Sequence, residues 1–312
     1  MAEIRGRRVF VAGHRGMVGS ACLRRLEREG CEVVIAPREA LDLRDQAAVR
    51  AFMEWTRPDV VIVAAARVGG ILANSAEPAS FLHDNLMIQA NLVEAAHCVG
   101  VEKLLLLGSS AAYPAEASQP ITEGALLTGP LDPSHEGYAV AKIAGVKLAQ
   151  AYRRQHGADF ISAMPTNLYG PNDHYHPTRS HVVAGLIRRF HEARVSGAGV
   201  VTCWGTGRPR RELLYADDLA DACVFLLRHY SDPEPINVGT GTDVTIAELA
   251  ELVAEVTGYH GRVEWDHSKP DGVPLKRLDV GRLERLGWRA ATPLREGLVR
   301  AYDWFLRHEV RA

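Results

Sequence analysis

The sequence has few cysteines, and none of them are paired at the spacing of a zinc or redox site. The five cysteines are scattered along the 312 residues, at Cys22, Cys31, Cys98, Cys203 and Cys223. No C-x-x-C pair and no histidine cluster at zinc spacing occurs, so the sequence predicts no metal site. We interpret the cysteines as small apolar groups of a protein in a reducing compartment.

Long apolar runs and an excess of one charge are also missing. No run approaches the ~20 residues of a membrane-spanning helix, and the first strand pattern follows the N-terminus without the charged leader and apolar core of a signal peptide. The 36 basic and 38 acidic side chains nearly balance, which gives no charged field for nucleic acid or membrane. We expect a cytoplasmic protein that binds neither.

The first half of the chain alternates short apolar runs with longer amphipathic stretches. The strand candidates are "RRVFVAG", "CEVVIAP", "DVVIVAAA", "KLLLLGSS" and "DFISAMP", and the helix candidates cover 17–30, 45–57, 80–99 and Tyr138 to His156. Continuous apolar strands separated by amphipathic helices indicate a parallel sheet covered on both faces. The predicted fold class is α/β, with a doubly wound Rossmann sheet.

This alternation breaks after Asn167. The segment "YGPNDHYHPTRSH" is typical of an irregular loop, and Thr245 before "IAELAELVAEV" is a predicted helix cap. We predict that residues 1–168 and about 213–239 form the Rossmann domain. Residues of about 169–212 and 240–312 would form a smaller, discontinuous α+β domain that binds the substrate.

A glycine-rich turn joins the first predicted strand to the first helix. Gly13, Gly16 and Gly19 give G-x-x-G-x-x-G, in which glycine lets the backbone approach a pyrophosphate and the helix N-terminus offers N–H donors. The residues assigned to this contact are Gly13, Arg15, Gly16, Met17, Val18 and Gly19. The turn therefore predicts a dinucleotide cofactor.

The end of the second strand decides between two cofactors. An NAD site places a carboxylate there, whereas an NADP site places a cation for the 2′-phosphate. Arg38, helped by Arg15, favours NADP, although Glu39 would favour NAD if the strand ended one residue later. Asp42 and Leu43 suit an adenine pocket, and the small residues of the next strand end let the cofactor lie close; these are Ala64, Ala65 and Ala66.

A tyrosine and a lysine four residues apart provide the reactive chemistry. Tyr138 and Lys142 lie on one face of a predicted helix. Hydride delivery to a carbonyl leaves an alkoxide that a tyrosine can protonate, if the nearby ammonium and the positive nicotinamide draw down its pKa. Ser109 or Ser110, after the fourth strand, can donate a hydrogen bond to the same oxygen. These residues together predict carbonyl reduction.

The motifs resemble those of the extended short-chain dehydrogenases/reductases and, within them, of the GDP-L-fucose synthase family. The similar segments are "VFVAGHRGMVGSA", "AAARVGGILAN", "LLLLGSS", "YAVAKIAG", "MPTNLYGPND", "SHV", "LIRRFHEA", "WGTGRPRREL", "INVGTG" and "SKPDGVPLKRLDV". They cover nearly the whole chain. The resemblance implies an NADPH-dependent enzyme that converts GDP-4-keto-6-deoxy-mannose to GDP-L-fucose, by epimerisation at C3 and C5 and reduction at C4.

The resemblance also implies roles for single residues. Ser109, Tyr138 and Lys142 would be the reductase triad, and His181 would be the acid of epimerisation and a cofactor contact. Pro165, Asn167 and Leu168 would line the nicotinamide. The GDP-sugar would contact Ser110, Asn167, Arg189, Trp204, Arg211 and Asp271. Arginines suit a diphosphate and tryptophan offers a flat apolar face.

One position departs from the family pattern. The family carries a cysteine two residues after the catalytic serine, which acts as a base in epimerisation, and this chain has Ala111 there. Epimerisation beside a ketone needs proton removal on one face and return on the other. We therefore expect a 4-ketoreductase of a GDP-4-keto-6-deoxy sugar whose epimerase activity is reduced or lost.

Three alternatives remain open. A complete epimerase/reductase would need a substitute base, for which His181, water, His174, His176 and Tyr113 are candidates. A nucleotide-sugar 4-epimerase would retain NAD, which Arg38 disfavours. A redox-silent NADP-binding regulator typically lacks the Tyr/Lys pair. The resemblance further implies a homodimer in which the helices at 80–99 and 138–156 form a four-helix bundle.

Overall fold

The centre of the fold is a parallel sheet, as the alternating strand and helix pattern predicts. The computed structural model describes residues 4–177, 179–269 and 271–310. Its strands are β1 (Arg8–Ala12), β2 (Glu32–Val34), β3 (Val60–Val63), β4 (Lys103–Leu107), β5 (Phe160–Pro165), β6 (Asn167–Tyr169), β7 (Val200–Trp204), β8 (Arg210–Arg211), β9 (Leu213–Tyr215), β10 (Ile236–Val238), β11 (Val244–Thr245), β12 (Arg262–Asp266) and β13 (Leu275–Lys276).

Helices follow most of these strands. They are α1 (Met17–Leu26), α2 (Gln46–Thr56), α3 (Ile71–Ala76), α4 (Pro78–Cys98), α5 (Glu136–His156), α6 (Val182–Ser196), α7 (Ala216–His229), α8 (Ile246–Thr257), α9 (Gly281–Arg285) and α10 (Leu294–His308). Two short 3-10 turns lie at Ser110–Ala112 and Glu123–Ala125.

The main sheet has the strand order β10-β5-β4-β3-β1-β2, and its pairs are parallel. Strands β3, β4 and β5 are buried along their whole length, and all their residues except Lys103 and Ser162 are apolar. One face packs against α1 and α7, and the other packs against α2, α4 and α5. The predicted doubly wound α/β fold is confirmed.

The sheet order places a crevice at the carboxyl ends of β1 and β3. The chain runs from β1 to its neighbour β2 on one side, and β3 lies on the other side of β1. Ligands of open α/β sheets bind at such a switch point. The glycine turn after β1 and the small residues after β3 meet there, so the fold itself positions the predicted cofactor loop.

The smaller part of the molecule uses short sheets with a separate apolar cluster. Strand β7 pairs with β12, and β8 lies between β11 and β13. The cluster joins α6, α8 and α10. The division of the chain into two domains remains a prediction, because Leu283 and Trp288, from the predicted second domain, lie in the apolar cluster beneath α1 and α7.

Local predictions and the structure differ in a few places. The second strand ends at Val34 rather than continuing to Ala36, and residues 167–169 form a strand that pairs with β9, where the sequence predicts the start of a loop. Helix α3 also lies outside the predicted elements. Within the described ranges, no helix is long and apolar enough to cross a bilayer.

Candidate active site

The glycine turn lies where β1 ends and α1 begins. Gly13 has a φ of 86°, in the left-handed region that favours glycine. A Cβ at Gly13 would lie 2.6 Å from the Cα of Ala65, and a Cβ at Gly19 would lie 2.1 Å from the Gly13 carbonyl oxygen. Gly16 has no side chain to cap α1, so the first N–H groups of α1 face the crevice uncapped. This is a suitable cradle for a pyrophosphate.

Arg15 and Arg38 lie near Glu39, the carboxylate that left the choice between NAD and NADP open in the sequence. Arg15 Nη1 donates to Glu39 Oε2 at 2.9 Å. A hydrogen bond from the backbone of Glu39 and the charges of Arg15 and Arg38 hold the pKa of this carboxyl below its ordinary value. Strand β2 ends at Val34, so neither Arg38 nor Glu39 follows it directly, and the two arginines outnumber the one carboxylate. The local charge is therefore positive, which suits a 2′-phosphate better than a ribose diol.

Asp42 takes part in an ionic network that the sequence did not indicate. Arg44 donates to both carboxylate oxygens of Asp42, and these bonds lower the pKa of Asp42 to about 2. Arg44 also contacts Asp84 at 3.2 Å, and Asp84 accepts from Arg67 at 2.9 Å. The backbone N–H of Arg67 donates to Asn85 at 2.8 Å. The network fastens the segment after Ala64–Ala66 to α4 and leaves Leu43 against the core.

The predicted reductase residues come together at the carboxyl end of β4. Ser109 Oγ accepts from Ala111 N at 3.1 Å and caps the turn that contains Ser110. Ser109 also forms a hydrogen bond with the Tyr138 hydroxyl. Lys142 Nζ donates to the Leu107 carbonyl at 2.7 Å and lies 5.7 Å from the centre of the Tyr138 ring.

The pKa values of this group differ from one sequence expectation. Burial raises the pKa of Tyr138 to about 12, although the Ser109 hydrogen bond works in the opposite direction. Burial also lowers the pKa of Lys142 to about 8. The ammonium alone does not lower the pKa of Tyr138, because it lies over the ring and burial dominates. A neutral phenol is nevertheless the form that a proton donor requires.

His181 stands at the start of α6, with a buried carboxylate behind it. Its Nδ1 lies 3.7 Å from Oδ1 of Asp173, whose side chain is 4% exposed. Burial disfavours a charged imidazole, but the nearby Asp173 carboxylate outweighs it and raises the pKa of His181. Asp173 gave no signal in the sequence, since it lies in an irregular loop. The pair favours a protonated, acidic histidine.

The residues predicted to line the nicotinamide lie between the main sheet and the smaller part. Pro165 ends β5, and Asn167 and Leu168 form β6. Asn167 Nδ2 donates to the Glu212 carbonyl at 3.1 Å, and Leu168 packs with the apolar cluster beneath α1. Met17 and Val18, at the start of α1, pack against the same cluster.

The residues predicted to hold the nucleotide lie on β7, β8 and the neighbouring elements. Arg189 Nη1 donates to the Thr202 carbonyl at 3.0 Å, which places this arginine beside β7. Trp204, at the end of β7, is 47% exposed, and the Nζ of Lys269 lies 5.9 Å from the centre of its ring. An exposed indole next to a cation is suited to stacking on a base.

Arg211 and Asp271, which are predicted to contact the GDP-sugar, both form hydrogen bonds within the protein. Arg211 Nη1 donates to the Val273 carbonyl at 2.6 Å, and burial lowers the pKa of Arg211. Asp271 accepts from Thr206 N at 2.8 Å and from Thr206 Oγ1 at 2.6 Å. Asp271 therefore fastens the loop after Trp204, while Arg211 brings a buried positive charge toward the site.

A polar cluster beside Tyr138 was missed by sequence reasoning. Ser134 Oγ donates to Asp132 Oδ1 at 2.7 Å, and the His135 Nδ1 lies 2.8 Å from the same hydroxyl. Lys276 on β13 is close enough for its charge to lower the pKa of His135. The sequence held one usable signal, the Asp-x-Ser-His spacing just before Tyr138.

The sheet, the glycine turn and the Ser/Tyr/Lys group define a dinucleotide-binding enzyme of the short-chain dehydrogenase/reductase class. The family model described as "NAD dependent epimerase/dehydratase family" matches residues 9–239. The chain belongs to this family, as an extended short-chain dehydrogenase/reductase that uses a nicotinamide cofactor.

Within that family, the chain groups with the GDP-L-fucose synthases. It is 56% identical over 310 residues to "Probable GDP-L-fucose synthase 1" of Oryza sativa subsp. japonica, covering 99% of this chain and 94% of the relative. Among solved structures, a GDP-L-fucose synthetase from Naegleria fowleri bound to NADP has a TM-score of 0.91 at 27% identity, with 100% of this chain and 98% of that chain covered.

A second solved structure is similar to the same extent. The GDP-6-OMe-4-keto-L-xylo-heptose reductase from C. jejuni has a TM-score of 0.91 at 30% identity and covers 98% of this chain and 99% of that chain. The recognition of the family from its motifs is therefore confirmed. The roles of single residues remain predictions.

Proposed function

We propose that this protein is a complete GDP-L-fucose synthase, which epimerises GDP-4-keto-6-deoxy-mannose at C3 and C5 and reduces C4 with NADPH. The 56% identity to the Oryza relative over nearly the whole chain carries this proposal. It favours the bifunctional alternative over the reductase without epimerisation that Ala111 suggested. The substrate is therefore a GDP-linked 4-keto-6-deoxy sugar.

The cofactor is proposed to be NADPH rather than NADH. Arg15 and Arg38 both act on Glu39 and leave a net positive charge beyond β2, and a forked guanidinium matches the 2′-phosphate. The structure from Naegleria fowleri supports this assignment because it is bound to NADP. NADPH supplies the hydride; the chain's own residues bind it and control protons.

Tyr138 supplies the proton that the C4 oxygen gains in the reduction. Its neutral phenol donates to the oxygen at C4 as negative charge develops there, and Ser109 donates a second hydrogen bond to that oxygen. Lys142, buried and 5.7 Å from the Tyr138 ring centre, stabilises the phenolate that remains. The three side chains are supplied by two neighbouring elements, which keeps them at fixed positions.

The nucleotide and the epimerised carbons are proposed to lie in the smaller part of the molecule. Arg189 and Arg211 neutralise the diphosphate, and Trp204 covers the base. His181, whose pKa Asp173 raises, donates a proton to a carbon beside the keto group. The raised pKa favours the protonated, acidic form of this imidazole.

The test is the consumption of NADPH with GDP-4-keto-6-deoxy-mannose in deuterated water, followed by NMR of the product. We expect an L-fuco product with deuterium at C3 and C5. Tyr138→Phe should lower the rate of NADPH consumption by about 10²- to 10⁴-fold, because it removes the proton donor. Tyr152→Phe on the same helix is the matched control, since its hydroxyl contacts Glu94 instead.

A second candidate function keeps the reduction and drops the epimerisation. Ala111, which has no group that exchanges protons, favours it, and the similar heptose protein of C. jejuni is named a reductase. An undeuterated product of D-configuration would establish this candidate and refute the complete reaction. An absence of NADPH consumption by the wild-type protein would refute both.

A further inference from the structure

The proposed epimerisation needs two proton-handling groups, and the expected residues supply only His181. Besides His181 and water, the sequence offered three side chains as a substitute base. Tyr113 donates its hydroxyl to Asn237 at 2.6 Å within the core and is 0% exposed, so it faces away from a substrate. His174 and His176 are exposed loop residues with their rings 5.7 Å apart. Tyr113 is thereby excluded, and His135 joins the two exposed histidines as a further candidate.

His135 occupies the position next to the reactive tyrosine. It precedes α5, and its carbonyl accepts from Ala139 N at 2.9 Å, which places its side chain one turn before Tyr138. His181 precedes α6 in the same way. The two histidines are close enough for the charge of His181 to lower the pKa of His135. About a quarter of the His135 side chain, 26%, is exposed.

The hydrogen bonds of His135 fix the position of its proton. Ser134 has one hydroxyl proton, and Asp132, an acceptor when ionised, takes it at 2.7 Å. The hydroxyl oxygen can then only accept from His135 Nδ1 at 2.8 Å. Nδ1 therefore carries the hydrogen, and the lone pair of Nε2 is left to act as a base.

We propose that His135 is the second acid/base group of the epimerisation, in place of the thiol that Ala111 lacks. This inference rests on the proposed function. Nε2 takes the proton from C3 or C5, and the C–H electron pair forms a double bond to C4 while the C4 oxygen becomes an enolate. Ser109 and Tyr138 donate hydrogen bonds to that oxygen.

The cycle closes without a further reactant. His181 gives a proton to the other face of the same carbon, and the electron pair of the enolate forms the new C–H bond. His135 loses its proton to water and His181 regains one from water, so one proton leaves the sugar and one enters it. The same pair serves C3 and C5, since both carbons flank the C4 ketone.

The surroundings shift the pKa values of the two histidines in opposite directions. Burial and the charges of Lys276 and His181 lower the pKa of His135, against the opposing effect of Asp132. Arg211 also faces Asp132 and Lys276 and adds positive charge to this side. Asp173 raises the pKa of His181, so the surroundings favour a neutral base and a charged acid. Such a separation is typical of acid and base partners.

The experiment measures proton exchange apart from reduction. Wild-type protein and His135→Gln are incubated with GDP-4-keto-6-deoxy-mannose and NADP⁺ in deuterated water, and NMR follows the loss of the C3 and C5 protons. We expect exchange at one or both carbons to fall by about 10²- to 10⁴-fold in His135→Gln. NADPH binding, followed by fluorescence, and the melting temperature should be unchanged. His174→Gln, a histidine in an exposed loop, is the control and should exchange like the wild type.

Ser134→Ala provides a second measurement that does not remove the imidazole. Loss of one hydrogen bond should slow exchange about tenfold, through the tautomer it maintains. The wild-type exchange rate should rise with pH as His135 loses its proton and fall when His181 does. Exchange at the wild-type rate in His135→Gln would overturn the inference while leaving the proposed function intact. Exchange that is lost in Lys276→Met but kept in His135→Gln would do the same, because it would assign the base to Lys276. Reduction without exchange in the wild type would overturn both.

Discussion

Lys142 keeps its ammonium group where burial disfavours it. The side chain is 3% exposed, and burial lowers its pKa from 10.5 to about 8. Between these values the unfolded chain binds a proton that the folded chain has lost, so stability rises with pH there. Below pH 8 the full penalty of a buried charge applies. The protein therefore sacrifices stability near neutral pH for a cation beside Tyr138.

We predict that Lys142→Met abolishes reduction but stabilises the fold. At pH 7 the free energy of unfolding should rise by about 1–3 kcal/mol, since the pKa shift sets the upper limit of the burial cost. The gain should shrink as the pH rises from 8 to 10. Urea unfolding at several pH values measures it, with Lys147→Met, exposed on the same helix, as the control. A loss of stability at pH 7 would contradict this account.

Arg38 is predicted to select the phosphorylated cofactor. In Arg38→Ser, the KM for NADPH should rise about tenfold or more, because a charge-assisted hydrogen bond to the 2′-phosphate is lost. The KM for NADH should stay the same. Arg50→Ser removes an exposed arginine of α2 and should change neither value. An equal rise for both cofactors would show that Arg38 acts on something other than the phosphate.

Helix α8 illustrates a local signal that the structure confirms. Thr245 Oγ1 accepts from Glu248 N at 3.0 Å, and the Glu248 carboxylate accepts from Thr245 N at 2.7 Å, which completes a capping box. We predict that Thr245→Ala lowers the free energy of unfolding by about 1 kcal/mol. Thr245→Ser should keep most of the stability that the cap contributes. Thermal unfolding measures both. Equal losses in the two variants would assign the effect to packing.

The elements that the sequence predicted are those specified by neighbouring residues. The buried strands, the helices between them and the cap at Thr245 follow from periodicity and spacing, and the Tyr138–Lys142 pair follows from one helical face. Strand β6 was missed because its hydrogen bonds depend on β9, 46 residues further along the chain in the registered pair Asn167 and Leu213. His135 was missed because only the fold brings His181 near it.

Helices α4 and α5 pack closely against each other, and the predicted dimer would form on these two helices. Gln89 Nε2 donates to the Ala141 carbonyl at 3.0 Å, and a Cβ at Gly145 would lie 2.3 Å from Gln89 Oε1. Ala90 and Val140, next to these contacts, are exposed on the two helices. Small and apolar surface side chains on an adjacent pair of helices suit packing against a second copy.

We predict that the protein is a homodimer built on these helices, and that Ala90→Lys separates it. The charge would be buried without a partner between the two copies, so light scattering should give a mass near 34.1 kDa in place of twice that value. Ala51→Lys, on the exposed side of α2, should remain dimeric. Because α5 carries Tyr138 and Lys142, separation should also lower the rate of NADPH consumption. A wild-type protein that is monomeric at high concentration, or an Ala90→Lys variant that stays dimeric, would place the interface elsewhere or exclude it.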